Sequence, residues 1–294
     1  MIVDFHVHAF PDKVASKAIE TLEAIYGAKC FSDGKIDSLL ENMIKTNVDV
    51  SVIQPVSTDP RQVMSINTWS AGISQIRTEN SPNPIVGFGT IHPKFEDYHD
   101  EIQRMKELGI KGIKFQPSFQ EFYPDDESMF PIYEDIVKAG MVLMFHAGDE
   151  IKPAKLVYST PPRLAKVLDA MKSVFDDCDY YVMNGSKRSA KFVAAHLGGY
   201  QMWDQVEDYL LGRELYFDIS YVFGHLDNQR ILRMVRDHGI ERILFGSDFP
   251  FSLPDKDMEY ISQLTFRRAT EEQMNLTNDE KEAILSKNAL RLLE

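Results

Sequence analysis

The chain alternates short apolar runs with longer segments whose apolar residues recur at helical spacing. The runs are IVDFHV (2–7), DVSVIQP (49–55), PIVGFGT (84–90), GIKFQ (112–116), MVLMFH (141–146), KFVAAH (191–196), LYFDIS (215–220) and RILFGS (242–247). Each is rich in Val, Ile, Leu or Phe and lies near Gly, Pro or Asp, the pattern of strands buried on both faces. Between them, DKVASKAIETLEAIYG predicts a helix ending near Gly27, and DSLLENMIKTN a helix with Asp37 as N-cap. Further helices are expected over 59–78, 96–108, 127–138, 161–174, 203–211 and 226–237. TNDEKEAILSKNALRLL closes the chain, with Thr277 as N-cap and Glu280 three residues on, the spacing of a capping box.

Strands alternating with helices imply parallel pairing through crossovers. A doubly wound sheet and an eight-stranded (β/α)8 barrel both satisfy that α/β pattern. The length of 294 residues favours the barrel, whose typical size is about 250 residues. No Pro/Gly/Ser-rich linker or repeat marks a boundary, so one domain over 1–294 is expected.

Composition narrows the functional classes. Hydrophobic residues make up 44%, as in an ordinary globular protein. Lys plus Arg number 32 against 45 Asp plus Glu, a net charge of −13. That balance repels polyphosphate backbones, so nucleic acid is not an expected partner. No apolar run approaches the roughly 18 residues that span a bilayer, and the N-terminus does not read as a signal peptide. Cys30 and Cys178 are far apart and in no metal-binding spacing, which fits free thiols in a reducing cytoplasm.

Polar residues then cluster at the strand ends. In DFHVH, His6 and His8 stand two apart, so on a strand they share one face with Asp4, while Val3, Phe5 and Val7 take the other. His146 ends the fifth strand, His196 the sixth and Asp248 the eighth; Lys114 lies near the end of the fourth. In a parallel barrel these ends meet at the rim where active sites sit. In a doubly wound sheet they would be spread along an edge. Imidazole and carboxylate are donors that suit zinc and related divalent ions. Singly, each residue has a plainer reading, as a hydrogen-bonded core histidine or a helix-capping aspartate. Together they point to a metal site.

DFHVHAFP, VLMFHAG, FVAAHLGG and ILFGSDFP, in that order, resemble the motifs of the amidohydrolase superfamily, and more narrowly its amidohydrolase-2 branch. The resemblance implies a TIM barrel holding one divalent ion, most often zinc, with Mn2+ or Fe2+ as alternatives. By motif position His6, His8, His146 and Asp248 would bind it. Asp248 would also pass the water's proton to the leaving group, and His196 would stand beside that water as a catalytic hydrogen-bonding group or a ligand of a second ion. In two-metal relatives a fourth-strand lysine is carbamylated and bridges the ions; for Lys114 a buried ammonium paired with Asp248 or Asp4 is the favoured reading. Gln116 stands where the branch often has a histidine, which argues for one ion.

The activity this implies is hydrolysis of an amide, lactone or ester of a small molecule by metal-activated water. The runner-up is nonoxidative decarboxylation with the same ion, which needs a cation to grip the departing carboxylate; Arg61 is the early-loop candidate, with Lys152, Lys155 and Arg163 as further cations. A DNase-type phosphodiesterase and a noncatalytic metabolite-binding barrel are weaker readings. Lys114, Gln116, Arg61 and His92 are the expected substrate contacts. Asp218 is read as a partner holding a ligand histidine or a core hydrogen bond, and His225 as a pocket residue. His99 and His238 are read as solvent-facing. Loops 117–128 and 147–160 should shape the cavity, with Phe119, Phe122, Tyr123 and Tyr158 as aromatic lining. The stretch 178–191 looks like an insertion on the opposite rim. A homodimer would be unsurprising.

Overall fold

A computed structural model describes residues 1–78, 84–177, 182–184, 187–252, 256 and 276–294. All eight expected strands are present: β1 (Val3–Val7), β2 (Val50–Ile53), β3 (Ile85–Gly87), β4 (Gly112–Phe115), β5 (Val142–Phe145), β8 (Phe192–Ala194), β9 (Tyr216–Asp218) and β10 (Ile243–Leu244). They pair in parallel, β1–β2–β3 in one run and β4–β5–β8–β9–β10 in the other. Single bridges Gly89–Ile113 and Val7–Phe249 join the two runs at both seams. The sheet therefore closes into a TIM barrel. An antiparallel hairpin, β6 (Val182–Asn184) and β7 (Lys187–Ser189), occupies the inserted stretch ahead of β8. Cys178 lies outside the described residues.

The helices follow the apolar periodicity. Asp12–Tyr26 ends at Gly27, whose left-handed backbone (φ 67°) closes the last turn, as expected. The next helix, Ile36–Thr46, begins two residues earlier than expected, so Lys35 is its N-cap and Asp37 sits in the first turn, where its charge still favours the helix dipole. The segment from Asp59 splits into a 3-10 turn, Pro60–Gln62, capped by the Asp59 side chain, and a helix Val63–Ile73. The segment from Pro161 likewise divides at Met171. Thr277 and Glu280 form the reciprocal capping box. Among the described residues no helix is long and apolar enough to cross a membrane.

Strand burial explains the near-continuous apolar runs. All of β1, β4 and β5 are buried, because one face meets the helices and the other fills the barrel. The inward layer joins Val3, Phe5, Val52, Phe88, Met144, Val193, Tyr216 and Leu244, and Ala289 and Leu292 of the C-terminal helix pack into it.

One expectation about β1 needs correction. Val7 does not share a face with Val3 and Phe5: it packs outward with Leu39 and Met43. Pairing steps from Asp4–Ser51 to Val7–Ile53, three residues against two, so a β-bulge shifts the phase of the strand. A one-residue shift moves every later side chain to the opposite face. Phe5 and His6 can therefore both serve the interior, and Asp4 turns the other way, to Ser247.

Candidate metal centre

The bulge sets the first two imidazoles at the rim. His6 Nδ1 lies 2.9 Å from Asp218 Oδ2 and 3.0 Å from Ser220 Oγ. His8 Nδ1 lies 3.0 Å from the Gln54 carbonyl oxygen, to which it donates. With each Nδ1 occupied, each Nε2 is left to face Asp248: Oδ1 stands 3.1 Å from His8 Nε2 and 3.5 Å from His6 Nε2. Holding a histidine through its second nitrogen is how proteins fix the tautomer that binds a metal.

These distances fit a divalent ion. Two ligands on a tetrahedral zinc, each about 2.0–2.1 Å away, stand about 3.3 Å apart. His6, His8 and Asp248 offer ligand atoms that all lie within 4.8 Å of one another, as do those of His6, His196 and Asp218. In the second group the short contact is between His6 and Asp218 themselves, so we read it as support for the first group.

His146 and His196 meet each other. His196 Nε2 is 3.1 Å from His146 Nδ1. His146 Nε2 is 3.2 Å from the Asp149 carbonyl oxygen and 3.6 Å from Glu150 Oε1. The structure thus brings three of the four expected ligands into one group and places His146 on the flank, through His196. His196 itself sits at φ 58°, followed by Leu197 at 53°, and Asp248 adopts φ 64°. Non-glycine residues occupy this left-handed region seldom, and such positions concentrate at functional sites. Strand alternation puts Ala195 inside the barrel, so the turn is what swings the His196 ring back toward the rim. Its Nδ1 contacts Ser220, 3.0 Å from the carbonyl oxygen and 2.9 Å from Oγ. Gly246 has a matching reason: a Cβ there would stand 2.8 Å from His6 Cβ and 3.2 Å from Ser220 Cβ.

The electrostatics favour neutral imidazoles beside ionised carboxylates. Burial, with Lys114 nearby, pushes His6 down to about 3. Burial also holds His146 well below its ordinary value, aided by His196 and Lys114. Burial works against ionisation of Asp218 and Asp248, but the surrounding imidazoles outweigh it and keep both well below the usual carboxylate range. Burial lowers Lys114 to about 8, partly offset by Asp218, Asp248 and Glu150.

Lys114 Nζ lies 3.3 Å from His6 Nε2. Among the described residues neither Asp4 nor Asp248 forms an ion pair with it; Asp4 instead accepts hydrogen bonds from Ser247 Oγ (2.6 Å) and Ser247 N (2.9 Å). Burial pushes Asp4 up to about 7.

A cavity of about 920 Å³ opens over this group, with Lys114, Gln116, Phe119 and Tyr26 on its wall. Arg61 is not on that wall: its side chain is 88% exposed and is held by Asp59. His92 is also off it, buried with Nδ1 accepting from Lys94 N, so neither meets the expectation of a substrate contact. Arg163 pairs with Asp125 and lies 3.9 Å above the Tyr123 ring, which itself meets Tyr158. Phe122 is core, against Phe115. His225 is held behind the cavity by Tyr200 and Tyr221. His99 is exposed beside Asp135, whereas His238 is buried, Nε2 on the Leu215 carbonyl oxygen and its ring stacked on Phe217.

Two contributors were not legible in advance. Glu150 is buried at the rim; the Tyr26 hydroxyl donates to its Oε2 at 3.1 Å, and burial raises its pKa. Its only sequence cue is the loop position four residues after His146. Ser220 bridges His6 and His196; its only sequence cue is its place two residues after Asp218, just past the end of β9.

Comparison with known proteins bears on the fold and the family. A 2-amino-3-carboxymuconate-6-semialdehyde decarboxylase of Dictyostelium discoideum is 24% identical over 183 residues, 51% of this chain and 49% of that protein. The chain thus spans about half the length of that curated relative. A TIM-barrel protein from Bordetella bronchiseptica superposes with a TM-score of 0.71 at 16% identity, covering 99% of this chain and 98% of that one. The 5-carboxyvanillate decarboxylase of Sphingomonas paucimobilis gives 0.66 at 14% identity, over 99% and 98% of the two chains. A 2,6-dihydroxybenzoate decarboxylase from Rhizobium gives 0.66 at 16%, with the same coverage. At such identities these likenesses speak for the fold alone. The profile of the amidohydrolase-2 family, described as Amidohydrolase, matches residues 3–294, and the chain belongs to that family.

Proposed function

We propose that this protein is a metal-dependent hydrolase that cleaves an amide, lactone or ester bond of a small molecule. The observation that carries the reading is the approach of His6 Nε2 and His8 Nε2 to one oxygen of Asp248, at the spacing a zinc-sized ion requires. His6, His8 and Asp248 would hold the ion, with His146 as a fourth ligand once its ring leaves Asp149. Zinc suits the donors, and a reducing cytoplasm suits the chain. A bound divalent ion supplies Lewis acidity and makes water acidic enough to be deprotonated near neutral pH.

The chain's own groups do the rest. Asp248, kept ionised by its imidazole neighbours, accepts a proton from the attacking water on its second oxygen, Oδ2. It then delivers that proton to the leaving nitrogen or oxygen, so that water is added across the cleaved bond. His196 donates from Nδ1 to the Ser220 carbonyl oxygen, which leaves its Nε2 unprotonated to accept a hydrogen bond from the attacking water and orient it. Lys114 and Gln116 line the substrate side of the cavity.

A second reading, nonoxidative decarboxylation, is favoured by one feature. Lys114 places a cation on the cavity wall beside His6, where it could grip a substrate carboxylate. The name of the Dictyostelium relative supports it equally. Assaying the zinc-loaded protein against lactones, esters, amides and aromatic or enoic carboxylates separates the two. Hydrolysis without carbon dioxide supports the first reading, and release of carbon dioxide from a carboxylate replaces it with the second.

A further inference from the structure

The cavity is longer than a small hydrolysable group needs. Its outer part runs beside the helix Asp12–Tyr26, whose core face is Ala15 and Ile19. A second apolar stripe on the same helix, Val14, Ala18, Leu22 and Ile25, lines the cavity instead. Val14 and Ile25 are 49% and 44% exposed and Ala18 and Leu22 are half-buried, so among the described residues nothing fully covers the stripe. At the helical rise it extends about 16 Å. Val56, Ile66 and Trp69 are among the other apolar residues of the lining. Polar groups are interspersed along the same lining, with Lys13 and Lys17 on the helix and Gln62 and Ser65 beyond it, all exposed.

We propose that this outer chamber binds an apolar chain of the substrate, continuous with the metal centre, so that the enzyme acts on acyl or alkyl-substituted molecules. The proposal rests on the metal-centre reading, because the group to be cleaved must lie at His6, His8 and Asp248 while its chain enters the chamber. A small polar substrate would leave the stripe in water, whereas each methylene laid along it is removed from water. Continuity of the stripe with the metal centre in one cavity argues for a substrate chain over a protein partner.

The test uses the zinc-loaded protein and straight-chain alkyl hydroxamates of two to eight carbons, whose head groups chelate the ion, measured by calorimetry. Affinity should rise about threefold to fourfold per methylene. Ala18→Trp, which fills the chamber, should flatten that series while zinc affinity, titrated separately, stays at the wild-type value. Hydroxamates that bind with no dependence on length overturn the chamber and leave the metal centre standing. Failure of the protein to take up zinc overturns the metal centre and the chamber together. A dimer that Ala18→Trp dissociates, with a flat series, assigns the stripe to a second copy of the chain and also overturns the proposal.

Discussion

His8 and Asp248, 240 positions apart in the chain, meet with Nε2 3.1 Å from Oδ1. Asp248 N also donates to the His6 carbonyl oxygen at 2.8 Å, and His8 N to that of Phe249 at 2.6 Å. Closure of the barrel and assembly of the site are therefore one event: the contacts that close the cylinder bring the carboxylate to the imidazoles. Asp248→Asn should keep the fold, since its backbone bond remains, and lose most zinc retention. Metal analysis after gentle purification, with a thermal melt as control, checks this; full zinc content in the variant would sink the assignment.

Asp218 should act through His6. An Asn there keeps an oxygen for the backbone N–H groups of His196 and Ser220, which now donate to Oδ1 at 3.0 Å. It cannot accept from His6 Nδ1 with the amide nitrogen that replaces Oδ2. We expect Asp218→Asn to lower zinc affinity about 10–100-fold, read by competition with a chromogenic chelator. Unchanged affinity would mean that Asp218 serves packing alone.

Gly246 leaves room for the rim. Gly246→Ala would press its methyl on His6 and Ser220, at 2.8 and 3.2 Å from their Cβ atoms. Overpacking of this kind costs about 1–3 kcal/mol, and displacing His6 should weaken zinc binding at least tenfold. Denaturant melts and zinc titration of the same variant test the two halves independently.

The C-terminal helix seals the interior. Leu292 is fully buried in the inward layer, so Leu292→Ala should destabilise the protein by about 2–5 kcal/mol. Urea melts measure this, and a loss below about 1 kcal/mol would show that the helix is only loosely docked.

Asp125 gives a pH signature away from the metal centre. Burial raises its pKa, but Arg163 and Lys166 outweigh that and hold it below the ordinary value. A carboxyl depressed in the folded state contributes stability above its unfolded pKa and loses it as pH falls through the folded one. Asp125→Asn should therefore cost about 1 kcal/mol near neutral pH. The difference from wild type should shrink as pH falls below the ordinary carboxylate value and vanish once the folded-state carboxyl is protonated. Urea melts across pH 2–7 follow it, and a gap that persists in acid would place the cause elsewhere.

Much of this protein is written in its order of residues. Runs such as VLMFH and ILFGSD mark both a buried strand and the polar residue that ends it, because a parallel strand buried on two faces must be apolar until it reaches the rim. Hence eight strands, the barrel, and the candidates His6, His8, His146, His196 and Asp248 could be read directly.

Tertiary structure alone decided how those groups face one another. A bulge in β1 broke the alternation that had put Asp4 with the histidines, and left-handed turns at His196 and Asp248 redirected their side chains. It also brought in Glu150, Tyr26 and Ser220. Period and composition record which face a residue prefers, since burial is a property of each side chain. Hydrogen bonds and ion pairs depend on distances between elements far apart in the chain, and those exist only once the cylinder has closed.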